Sequence, residues 1–251
     1  MVNGYAASSA DWDPRFLDLL GAKARLILPD NRGIGNSGGD PAEIGLETMV
    51  DDLLALLDQL EINSVNLLGW SMGGFVAQAL AARRPDRVRS LILLSTDPGG
   101  EFAVCSSAAI SRQLTDQAGT AEEQARRLIG LLFPAALAAD IFKNFGDSVA
   151  EARSLLRPEI LDAQVELIDR WHKDPSATRL AEIKAPTLVG AGELDQIIPA
   201  TNAGRLSQHI DGARAEVFAG GGHAFLAQFP KPLAQMICEF IGATDQPPRR
   251  T

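Results

Sequence analysis

The sequence predicts an α/β fold, a mostly parallel sheet with helices on both faces, and three observations carry that prediction. Short apolar runs closed by turns alternate with stretches of helical periodicity along most of the 251 residues. The apolar runs are rich in leucine and β-branched residues on both faces, as a strand buried on two sides requires. One long stretch, from about Pro98 to Ala185, has helical patterns and no convincing strand, so it reads as an insertion between two sheet strands. A chain of this length can bury one sizeable core.

In chain order, Ala24 to Asp30 (ARLILPD) reads as a strand, and Leu46, Val50, Leu53, Leu57 and Leu60 then recur at helical spacing. Ser64 to Trp70 (SVNLLGW) reads as the next strand, and GGFVAQALAARRPDRV as a helix with small residues on one face, stopping before Pro85. Val88 to Ser95 (VRSLILLS), Pro186 to Gly192 (PTLVGAG) and Ala215 to Gly222 (AEVFAGGG) are further strands. Inside the insertion, Thr120 to Phe133 and Pro158 to Lys173 are helical. The division expected is a core of residues 1–97 and 186–251, with residues 98–185 as a helical lid over the strand ends. The tail TDQPPRRT reads as frayed.

A net charge of −9 and an isoelectric point near 4.9 argue against a phosphate-binding surface, so nucleic acid is not an expected partner. Cys105 and Cys238 lack metal or redox spacing and are expected as buried, reduced thiols. The N-terminus has no signal-peptide pattern and no apolar run reaches membrane-spanning length. The expectation is a cytoplasmic protein with no membrane partner.

The chemistry sits in LLGWSMGG, Leu67 to Gly74. A strand that ends in Gly-x-Ser-x-Gly and runs straight into a helix must turn sharply at the serine. That turn strains the backbone and exposes the hydroxyl, and the glycines stand where a Cβ would not fit. The amide of Met72 then lies at a helix start, where unpaired N–H groups favour negative charge. A serine hydroxyl needs an imidazole to accept its proton, and the imidazole needs a carboxylate to hold its tautomer. Of the three histidines, His172 lies on a charged helix of the insertion and His209 at a helix end, while His223 follows a strand inside a glycine-rich turn. The residues alone leave the acid open among Asp195, Glu193 and Asp97; Asp51, Asp52 and Asp58 lie on the polar side of an amphipathic helix.

Taken together, these stretches resemble the α/β-hydrolase family, in particular its small lid-bearing branch of esterases, lactonases, C–C bond hydrolases and cofactor-free perhydrolases. GAGELDQIIP (Gly190 to Pro199) resembles the segment carrying the acid and GGGHAFLAQFP (Gly220 to Pro230) the one carrying the base. The resemblance therefore implies Ser71 as nucleophile, Asp195 as acid and His223 as base. PDNRGIGNS (Pro29 to Ser37) resembles a family marker loop.

The N-terminus departs from the family. NGYAASSADW is in register with the family's His-Gly-x-Pro segment, with Asn3 for the histidine, Gly4 retained and Ala6 for the proline, and with Ser8 and Trp12 in place. The second oxyanion donor implied is the Tyr5 amide, beside that of Met72. Only Met1 and Val2 precede this segment, where the family has a complete strand and two more before it, so the first strands are expected to be missing. The gap would leave buried backbone groups unpaired at roughly 1 to 3 kcal/mol each. Either the flanking strands close up, or a partner chain completes the sheet as a homodimer, or the natural protein begins upstream; the third is the expectation adopted.

The activity implied is hydrolysis of a small or medium carboxylic ester or lactone through an acyl-enzyme, with no cofactor and no metal. Trp70, Phe102, Leu131, Phe133, Phe142 and Trp171 are the candidate apolar walls for a small-molecule substrate, although each could equally pack the insertion onto the core. A perhydrolase or haloperoxidase, a C–C bond hydrolase using the same triad, and a ligand-binding degenerate hydrolase remain open.

Overall fold

The computed structural model describes residues 1–173 and 179–244. The described residues form a parallel sheet in the order β1 (Val65–Trp70), β2 (Val88–Leu94), β3 (Thr187–Gly192) and β4 (Arg214–Phe218). Side chains alternate across it, because successive strand residues point to opposite faces. Leu67, Leu91, Leu93 and Val189 enter one core with α2 (Leu46–Gln59), α3 (Met72–Arg83) and α8 (Thr201–His209). Leu68, Trp70, Ile92, Leu94 and Leu188 enter the other with α1 (Pro14–Gly21), α9 (Phe225–Gln228) and α10 (Pro230–Thr244). Both faces of β1–β3 are therefore largely dry, as the continuous apolar runs predict, whereas the edge strand β4 is mostly exposed.

Between β2 and β3 the described residues form α4 (Ala108–Thr115), α5 (Ala121–Leu132), α6 (Ala135–Ser154) and α7 (Pro158–Lys173), and no strand. Local chemistry starts and anchors these helices. A reciprocal capping box joins Thr120 and Glu123 at the head of α5. Trp171 of α7 is buried and stacks on Phe75 of α3 with ring centroids 4.9 Å apart, which ties the helical segment to the sheet's cover.

Two expectations are corrected. Ala24 to Asp30 forms no strand. Its neighbour in space is Met1–Asn3, which gives the Met1 amine a carbonyl at Ile27 (2.8 Å) and the Asn3 side-chain amide one at Pro29 (3.2 Å). Three residues cannot build a ladder on that side. On the other side Val2 makes one parallel bridge to β1, its amide donating to Leu68 O (2.8 Å) while Trp70 N donates to its carbonyl (3.1 Å). The two flanking segments thus stand apart, with Met1–Asn3 between them. Cys105 is exposed in the loop before α4, whereas Cys238 is half-buried on α10; both are free thiols. The tail beyond Thr244 lies outside the described residues.

Candidate active site

All strands being parallel, their carboxyl ends open onto one edge of the sheet, where loops can gather ligand-binding groups. Ser71 leaves β1 there with φ 57° and ψ −125°, a left-handed conformation for a residue with a Cβ. Such strain, of order 1–3 kcal/mol, persists only where neighbours hold it. Here the Ser71 amide donates to Leu94 O (2.9 Å), and its carbonyl accepts from Gly74 N (2.8 Å) and the Thr96 hydroxyl (2.9 Å). The flanking glycines are required by packing. A Cβ on Gly69 would run into the backbone of Gly73, and one on Gly73 into the carbonyls of Val2 and Asn3. Among the described residues the Ser71 hydroxyl makes no hydrogen bond, a looseness common to nucleophiles before substrate binds.

His223 follows β4 and is buried; its Nδ1 donates to Asp195 Oδ2 at 2.8 Å. A carboxylate only accepts, so Nδ1 carries the proton and Nε2 of the neutral ring is left as an acceptor. The other oxygen, Asp195 Oδ1, accepts from the amides of Ile197 and Ile198, both at 2.9 Å. The carbonyl of His223 accepts from the Trp70 indole (3.2 Å) and the Ser95 hydroxyl (2.9 Å), which pins the histidine beside the residue preceding Ser71. Asp97 is engaged elsewhere. Its Oδ1 accepts from Trp171 Nε1 (3.0 Å) and Gly99 N (2.9 Å), and its Oδ2 lies 3.1 Å from His172 Nε2. Glu193 Oε2 accepts from Gly220 N (2.9 Å). Of the three carboxylates left open by the residues alone, Asp195 is the one hydrogen-bonded to His223.

Gly4 packs against Ser71, a Cβ built there lying 3.1 Å from Ser71 Cβ, so the segment 3–6 runs beside the serine. Neither the Tyr5 nor the Met72 amide has a hydrogen-bond partner among the described residues. The loop PDNRGIGNS positions this segment. Asn31 Nδ2 donates to Asn3 O (3.0 Å), and Asp30 accepts from Ser9 N (2.6 Å) and Asn36 N (3.0 Å). Burial pushes the Asp30 carboxyl up, but these amides outweigh it and hold its pKa below the usual value.

Of the candidate wall residues, Trp70 and Trp171 are buried in the packing just described, and Leu131 is buried in the core shared with α3. Phe133 approaches the histidine loop, its Cα 3.1 Å from where a Cβ on Gly222 would stand. Phe102 lies against His209 at 4.3 Å, and Phe142 lies under the Arg126 guanidinium at 3.8 Å. Two polar residues that sequence reasoning missed are buried in the helical segment: Arg153 on α6 and Gln164 on α7, whose Oε1 accepts from Ala6 N at 2.8 Å. Their signal was a polar residue on an otherwise apolar helix face. A separate cavity of about 390 Å³, lined by Asn31, Arg32, Met49 and Asp52 among others, touches none of Ser71, Asp195 or His223.

A strained serine at a strand-to-helix turn, followed in chain order by a carboxylate and a buried histidine, defines a fold class, and sequence comparison agrees. The family model described as alpha/beta hydrolase fold matches residues 1–230, and the chain belongs to that family. It is similar to the Variovorax paradoxus protein named "Putative carbamate hydrolase RutD", 29% identical over 252 residues that cover 98% of this chain and 92% of the relative. Among solved structures it is similar to a hydrolase from Pseudomonas aeruginosa (27% identity, TM-score 0.82, covering 96% of this chain and 88% of that one). A thermophilic esterase from Thermogutta terrifontis is 26% identical with a TM-score of 0.75, over 98% of this chain and 89% of the esterase. Among the described residues no helix is long and apolar enough to cross a membrane.

Proposed function

We propose that the protein is a serine hydrolase that cleaves a small or medium carboxylic ester or lactone through an acyl-enzyme. Ser71 Oγ attacks the carbonyl carbon while His223 Nε2 takes its proton; the amides of Tyr5 and Met72 receive the oxyanion; His223 returns the proton to the departing alkoxide. Water, deprotonated by the same histidine, then releases the acid and frees Ser71. Asp195 keeps Nδ1 protonated and stabilises the imidazolium. The observation that carries this reading is the 2.8 Å hydrogen bond from His223 to Asp195, on a histidine whose carbonyl is pinned by Trp70, the neighbour of Ser71. Helices α4–α7 act as the lid: α7 reaches the oxyanion segment through Gln164 and Ala6 N, and α5 meets the histidine loop, where Ala224 N donates to Leu132 O at 3.0 Å. Phe133, whose Cα lies against Gly222, supplies an apolar wall beside the histidine loop.

A fluorophosphonate probe tests the proposal without knowledge of the substrate. It should label Ser71, and Ser71→Ala should abolish both labelling and hydrolysis of 4-nitrophenyl esters. Labelling elsewhere, or none, would overturn the reading. The carbamate hydrolase name among the relatives favours a second reading, in which the same groups attack a carbamate carbonyl. Comparing kcat/KM for an ester and a carbamate of one phenol decides between them.

A further inference from the structure

We propose that the substrate carries a carboxylate, one tyrosine side chain away from the carbonyl that Ser71 attacks, and that Arg153, the Tyr5 hydroxyl and the Gln164 side-chain amide hold it. This deepens the serine-hydrolase reading and rests on it. Arg153, in the last turn of α6, is only 8% exposed, yet no carboxylate among the described residues pairs with it. Its guanidinium meets just one oxygen, Gln124 Oε1, at 3.4 Å from both Nε and Nη2. Arginine has five N–H donors and stays charged, so a buried guanidinium this poorly matched is costly unless an anion completes it.

Two further donors are in the same condition. Gln164 is fully buried; its oxygen is taken by Ala6 N, and its Nε2 has no partner. The Tyr5 Oη is buried and unpaired. Burial pushes the phenol up to about 12 despite the opposing pull of Arg153, so it stays a donor at neutral pH. Gln164 bonds to the residue after Tyr5, and the Arg153 charge bears on the Tyr5 phenol, so the three groups are brought to bear on the one segment, Tyr5–Ala6. The other charges facing them have partners of their own. Arg127 donates to the carbonyls of Asp116 and Ala118, Asp11 accepts from the Ser8 amide and hydroxyl, and Asp162 accepts from Gln117. A neutral carbonyl would satisfy at most two donors and leave the guanidinium charge unbalanced. A carboxylate satisfies several and neutralises the guanidinium, whose planar fork matches it in shape.

The test is a matched series: monomethyl succinate, glutarate and adipate against methyl butyrate, valerate and hexanoate. Wild type should prefer the half-acids in kcat/KM, and Arg153→Met should lower the half-acid to neutral-ester ratio by a factor on the order of 100, the scale of losing one partner of a buried charge pair. Arg153→Lys, which keeps the charge without the fork, should lie between and serves if the methionine variant does not fold. Independently of turnover, the half-acids should raise the melting temperature of Ser71→Ala protein, and Arg153→Met or Arg153→Lys should reduce that rise. A wild-type preference for the neutral esters, a ratio unchanged by both Arg153 variants, or no stabilisation of Ser71→Ala by any half-acid overturns the subsite. If fluorophosphonate labels Ser71 in those cases, only the subsite falls; if it does not, the hydrolase reading falls first.

Discussion

Replacing Asp195 by asparagine separates a role at the histidine from a role in folding, because the structure dictates which way the new amide points. Asp195 Oδ1 accepts two amides, from Ile197 and Ile198, so in Asp195→Asn the carbonyl oxygen must stay on that side; the reverse orientation would set an NH2 against two N–H donors. The NH2 then faces His223 Nδ1 in place of the oxygen now 2.8 Å away. Nδ1 must become the acceptor and Nε2 must carry the proton, so the ring cannot take one from Ser71. Loss of the equivalent carboxylate in a serine protease triad costs ~10⁴ in turnover, which is about 5.5 kcal/mol in the barrier. The same side-chain volume and the same two amide bonds should leave the fold intact. The assay is kcat and kcat/KM for a 4-nitrophenyl ester, with a thermal melt of the same sample. A variant that keeps more than about a tenth of the activity, against the ~10⁴ loss expected, refutes the assignment. So does an unaffected Asp195→Asn beside a crippled Asp97→Asn, since Asp97 accepts from Trp171 and Gly99 rather than from His223.

Ser71→Ala should reduce ester hydrolysis on the order of 10⁶-fold if the triad acts as a unit, read by the same assay. Asn31→Ala removes the donor that holds Asn3 O, so the oxyanion segment loosens and kcat should fall by up to ~10² with KM little changed, the scale of weakening one oxyanion donor. Trp171→Ala deletes a buried ring stacked on Phe75 and should cost about 3–5 kcal/mol, a melting temperature lower on the order of 10 °C. Tyr5 is the chain's single tyrosine, so the ultraviolet phenolate band should appear near pH 12 in the folded protein. Unfolding should move it to near the usual 10.0. Because the folded pKa is raised, this group's contribution to stability is complete below the unfolded value and is lost as pH rises through the folded one.

The sheet strands β1 to β4, the helices α3, α5 and α7, and the serine elbow were legible in the sequence because each is a local pattern. Strand periodicity, the Thr120–Glu123 cap and the glycines around Ser71 bind groups only a few residues apart. Glycines 69 and 73 also announced a close approach, although only the fold names what approaches, the Gly73 backbone and the carbonyls of Val2 and Asn3. The segment 24–30 has a strand's composition and forms none, since a strand exists only against a ladder and Met1–Asn3 offers one too short. Which of Asp195, Glu193 and Asp97 bonds to His223 likewise belongs to tertiary structure: three carboxylates near strand ends look alike in sequence, and only Asp195 lies within hydrogen-bond distance of His223 Nδ1. Arg153 and Gln164 show both halves of the division. Their positions on helix faces with Phe142, Gly146 and Val149, and with Ile160, Leu167 and Trp171, could have been read as polar residues on apolar stripes. That Gln164 bonds to Ala6 and that the Arg153 charge bears on Tyr5, about 150 residues earlier, could not, because contacts between distant segments are set by how whole helices pack and leave no periodic trace in the chain.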